Sequence, residues 1–99
     1  MSHQDTCIFK EKIYKDFEQN LHRVLGMSLY EFNGVTSEEE NSPFKEYEAA
    51  YDSGGPKKMR FYMNWSISNL SIIYTERDLG YSMTDEEKTL HRSELGLGL

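Results

Sequence analysis

The chain has 99 residues, 37% of them apolar and 13% aromatic, with a formal net charge of -6. That length suits one domain around one small core, and the aromatic content is too high for a disordered chain. The negative charge works against general nucleic-acid binding and favours a protein partner with a basic surface. The charge is uneven: -1 over residues 1–34, -5 over 35–56, +3 over 57–77 and -3 over 78–99. Cys7 is the only cysteine, so no intrachain disulfide forms, which fits a reducing, cytoplasmic setting. No apolar stretch approaches the ~20 residues that span a bilayer, and the first residues lack the pattern of a signal peptide.

In chain order, Phe9, Ile13, Phe17, Leu21 and Val24/Leu25 recur at three- and four-residue steps, which predicts a helix over about 6–25. Asp5 or Thr6 can cap it, and Gly26 can end it. Met27–Phe32 is short and rich in strand formers, and Asn33-Gly34 suits a tight turn. Residues 36–42 read as an acidic loop. In 43–52, Pro43 after Ser42 suits a first helical turn, and Phe44, Tyr47 and Tyr51 have helical spacing. Tyr47, Ala49 and Tyr51 also alternate, and the strand reading is preferred. Asp52-Ser53-Gly54-Gly55-Pro56 is a turn or loop.

Met59, Phe61, Met63, Trp65 and Ile67 alternate with Arg60, Tyr62, Asn64 and Ser66, the pattern of a half-buried strand. The phase shifts at Ser68-Asn69, and Leu70, Ile72 and Tyr74 alternate after it, as in a hairpin. Thr84-Asp85-Glu86-Glu87 is a capping box that opens a helix to about Leu95, with a tail flexible from about Gly96 or else serving to dock. The expectation is one α+β domain over 1–99: an N-terminal helix on an antiparallel sheet of three to four strands, and a short C-terminal helix. Its inward set is Ile13, Phe17, Leu21, Phe61, Met63, Trp65, Ile67, Ile72 and Tyr74.

Signals for catalysis are poor. His3, His22 and His91 lack metal-ligand spacing with one another or with Cys7. Cys7 near a helix start could carry a lowered pKa, but a small structural residue beside Ile8 is the better reading. Gly54-Gly55-Pro56 has none of the flanking pattern of a phosphate loop. No enzyme activity, cofactor or metal is expected.

The favoured function is an acidic protein-binding module. It would be an inhibitor or immunity-type protein, of the kind mobile elements encode, that blocks a basic, nucleic-acid-processing partner by occlusion or charge mimicry. Its contact residues would be Glu38, Glu39 and Glu40 in the loop, Tyr47, Tyr51 and Tyr62 as anchors, and Asp85, Glu86 and Glu87 at the last helix. Two alternatives stand beside it: a nucleic-acid-binding strand at Lys57–Tyr62, and a structural or regulatory protein with a merely solvated surface. The oligomeric state is left open.

Overall fold

The computed structural model describes residues 3–37 and 43–99, and among them it has four helices and no strand. They are α1 (His3–Leu25), α2 (Leu29–Thr36), α3 (Pro43–Leu79) and α4 (Asp85–Glu94). The expected α+β fold with its antiparallel sheet is therefore overturned. The chain folds as a small helical bundle.

α1 forms where its periodicity places it and buries Ile13, Phe17 and Leu21 almost completely. Gly26 follows it with a φ of 64°, the left-handed conformation that closes helices. The expected strand at 27–32 does not form: Met27 and Ser28 precede α2, and 29–32 are its first turn. Ser28 accepts from the Glu31 amide while the Glu31 carboxylate accepts from the Ser28 amide, a reciprocal cap that outweighs local strand preference. Asn33-Gly34 lies inside this helix rather than in a turn. Phe32 is fully buried and meets Phe17 edge-on, with ring centroids 5.3 Å apart.

α3 carries the main correction. All three expected strands here, 43–52, 59–67 and the one carrying Leu70, Ile72 and Tyr74, and the expected turn at Ser68-Asn69 are helical. A straight helix of 37 residues would measure about 55 Å, yet the molecule's longest dimension is 49 Å. The helix breaks at Gly55, whose φ of 79° and ψ of -168° are non-helical, a backbone region open essentially to glycine alone. Pro56 then opens the second limb, where its missing N–H costs nothing. The limbs fold back on each other: Lys58 donates to the Ser53 hydroxyl (3.0 Å), and Tyr47 lies beside Ser66. At Gly54 a Cβ would run into the stem of Lys58, so the reversal needs both glycines.

α1 fills one side of this hairpin. It runs against the first limb through Tyr14–Phe44 and Phe17–Tyr47 ring contacts. Tyr14 donates to Glu48 (3.2 Å), and Lys10 pairs with Glu48 (2.7 Å). Burial, reinforced by Glu48, raises the Tyr14 phenol above its ordinary value. Arg60 ties the second limb to Asp16 at 2.8 Å. The second limb sends Met59, Met63, Ile67 and Leu70 inward, a step of four, four and three that is one helix face. Phe61 and Trp65, two of the expected core residues, lie on another face and are 50% and 41% exposed.

Tyr47 is central to the core at 1% exposure. Burial pushes its phenol up to about 12, and the neighbouring Ser66 hydroxyl offsets only part of that. Ser66 itself donates to the Tyr62 carbonyl, and among the described residues Tyr47 Oη has no well-formed hydrogen bond.

α4 opens at its capping box as expected, with Thr84 and Glu87 bonded both ways. It buries none of its own residues. Polar contacts hold it on the second limb of α3: His91 Nε2 with Ser71 Oγ (2.8 Å), and Arg92 donating to Ser68 and Asn69. The tail is docked rather than frayed. Leu97 enters the core, Asn64 donates to the Leu97 carbonyl, and Arg23 donates to the carbonyls of Leu95 and Gly96.

Candidate functional site: the open groove of the helical hairpin

A helical hairpin has two long sides. α1 covers one. The other holds a groove of about 580 Å³ between the limbs. Its floor is made of small residues, Ala49, Ala50, Ser53 and Ser66, and its wall of Tyr62 and Trp65. Lys58 stands at the turn end, and Glu46 and Asn69 at the other.

The aromatic wall is organised by its neighbours. Phe61 and Trp65, one turn apart, stack with centroids 6.0 Å apart and planes 21° apart. Arg92 from α4 sits over the Trp65 ring at 3.9 Å, and Lys58 sits 5.9 Å from the Tyr62 ring centre. These are cation–π contacts, each worth about 0.5–1 kcal/mol at exposed sites. Among the described residues, neither Lys58 nor Arg92 has a carboxylate within ion-pair distance, whereas Lys10, Lys15 and Arg60 do. The result is a cationic, aromatic strip on a chain whose net charge is -6.

The contact residues expected from the sequence do not converge. Glu38, Glu39 and Glu40 lie outside the described residues, as does the side chain of Cys7. Tyr47 is in the core rather than exposed. Tyr51 is half-buried under Lys10, whose ammonium is 4.9 Å from its ring centre. Tyr62 is in the groove wall and 39% exposed. Asp85, Glu86 and Glu87 are exposed in the first turn of α4. That turn sits beside Glu76, which accepts from the Met83 amide, about 20 Å along the limb from Tyr62 at 1.5 Å per residue. Asp85 and Glu86 share a shallow depression with Thr89 and Leu90 instead.

Sequence reasoning gave Lys58 only to the alternative nucleic-acid strand, placed Phe61 and Trp65 in the core, and missed Arg92. A helical reading of 58–65 would have put Lys58 with Tyr62 and Phe61 with Trp65, each pair four apart. Nothing in the sequence brings Arg92 to Trp65, because that contact depends on how α4 returns along α3. Among the described residues no three His, Cys, Asp or Glu side chains come together as a metal site, and no helix is long and apolar enough to cross a membrane.

The chain matches no known protein family, no curated protein and no solved structure. The functional reading therefore rests on the groove and its chemistry.

Proposed function

We propose that the chain is a protein-binding module whose contact surface is the open side of the α3 hairpin. One observation carries this reading: Phe61, Tyr62 and Trp65 are exposed together beside two cations that, among the described residues, have no carboxylate within ion-pair distance. Tyr, Trp and Arg are the residues that dominate binding energy when a partner desolvates them. Occlusion of a partner, as by an inhibitor, is one form such a module can take, and a cytoplasmic setting fits the single Cys7. Acidic steering towards a basic partner remains a proposal supported by charge alone, through Asp85, Glu86 and Glu87.

Nucleic-acid binding is the second reading, supported by Lys57, Lys58 and the exposed rings. Base stacking needs free ring faces. Here Arg92 already lies against Trp65, and Lys58 against Tyr62, which favours the protein reading.

The test is a photo-crosslinking amino acid, p-benzoylphenylalanine, placed at Tyr62 and separately at Tyr30, which is 88% exposed on α2. Irradiation in the native host should give a discrete protein adduct from position 62 and none from position 30. A nuclease-sensitive adduct, or no adduct specific to position 62, defeats the proposal.

A further inference from the structure

Resting on that reading, we infer that the groove receives an amphipathic helix bearing carboxylates on its contact face, completing a four-helix arrangement around the α3 hairpin. Three features of the groove support a helix as occupant. The limbs are antiparallel, so the hairpin has two sides, and one is already filled by a helix, α1. The small side chains of Ala49, Ala50, Ser53 and Ser66 let another backbone approach closely, in the way ridges of one helix seat between those of two others. The flanking rings of Tyr62 and Trp65 offer area for apolar residues on the incoming face.

Charge complementarity specifies the rest. Lys58 marks the turn end of the groove, and Arg92, which is not a lining residue but covers the Trp65 ring of its wall, marks the level of Trp65 and Asn69. Along the second limb these levels are 7 to 11 residues apart, or about 10–17 Å at helical rise. A partner helix therefore needs two acidic positions two to three turns apart, flanking an apolar stripe. Glu46 lies across the groove from Trp65 and Asn69, so a basic residue on the partner's other edge at that level satisfies it. This asymmetry fixes the direction in which the helix lies. Lys58 is itself pre-positioned: its stem passes over Gly54, where no Cβ is tolerated, and its ammonium is held by Ser53. A cation fixed in this way loses less freedom on meeting a carboxylate than a free lysine does.

The test is selection of a displayed library of 20-residue peptides, with a fixed Leu/Ala helical stripe and randomised flanking positions, on the full-length chain. Enriched peptides should carry Asp or Glu at positions 7 to 11 apart on one edge of the stripe. Their affinity should fall about tenfold with Lys58→Glu and about thirtyfold or more with Trp65→Ala, and it should weaken as salt rises. Lys58 is exposed, so Lys58→Glu should leave helicity unchanged and lower the melting temperature only slightly, through its lost contacts with Ser53 and Tyr62. Trp65-dependent peptides that are basic, or indifferent to Lys58→Glu, overturn the acidic helix but leave the docking surface standing. Peptides indifferent to Trp65→Ala, or no enrichment, overturn both. A stable dimer in sedimentation equilibrium that Trp65→Ala dissolves assigns the groove to a second copy and also overturns the inference.

Discussion

The second limb of α3 carries apolar residues on two of its faces, and the two faces have different neighbours. Met59, Met63, Ile67 and Leu70 are sealed against α1 and the first limb, none more than 8% exposed. Phe61, Tyr62 and Trp65 stand at the opposite margin, each at least 39% exposed, with cations on or beside their rings. Hydrophobic content alone does not distinguish the faces, because apolar atoms make up much of any protein surface. What distinguishes them is clustering: three adjacent exposed rings with charge fixed beside them exceed scattered surface hydrophobicity. The first face stabilises the bundle. The second is only partly buried and contributes less to stability, and the proposed binding would account for its exposure.

Substitutions sharpen this contrast. Phe17→Ala should destabilise most, by about 3–5 kcal/mol, and Met63→Ala by about 2–5 kcal/mol, since both leave cavities at closed sites. Denaturant unfolding followed by circular dichroism measures both. A Met63→Ala midpoint equal to the parent's would remove the sealed face from the account. Gly55→Ala should cost about 1–3 kcal/mol by forcing a side chain into a glycine-only conformation, and an unchanged melting temperature would argue against the reversal. Trp65→Ala should cost about 1–2 kcal/mol, less than Met63→Ala, through the lost contacts with Arg92 and Phe61. A loss as large as that of Met63→Ala would merge the two faces into one core.

The smallest effect is alkaline. The folded Tyr47 phenol titrates at about 12, while an unfolded tyrosine titrates near 10. Across that window the unfolded chain gives up a proton that the folded chain keeps, so stability is intact below pH 10 and falls as pH rises towards 12. Tyr14, also raised, adds in the same direction. Tyr47→Phe removes a hydroxyl that lacks a well-formed hydrogen bond and should leave neutral-pH stability equal or slightly higher. Its unfolding midpoint should also decline less steeply above pH 10 than the parent's.

The two faces also explain why the fold was only partly legible. α1 and α4 announce themselves through a single-faced period and a capping box, and Gly54-Gly55-Pro56 marks the reversal. The run from Met59 to Ile67 alternates like a strand because two sets of apolar residues, each stepping by four, interleave at an offset of two. One set is core and the other lines or borders the groove. The surface that carries the proposed function is thus what disguised the helix. Ser28-x-x-Glu31 was readable, since it has the same form as Thr84-x-x-Glu87, but a short stretch of strand formers masked it. Tyr47 shows the converse: an aromatic near an acidic segment looks like an anchor until helical spacing turns it towards Phe17.

Trp65 is the chain's only tryptophan, so collisional quenching of its fluorescence tests the groove's exposure and local charge together. The ratio of iodide to caesium quenching of Trp65 should exceed that of free N-acetyltryptophanamide at equal ionic strength, because Lys58 and Arg92 concentrate anions there despite the net charge of -6. Lys58→Glu should lower that ratio. Emission that neither ion quenches, or an iodide-to-caesium ratio at or below that of the free indole, would contradict an exposed cationic groove.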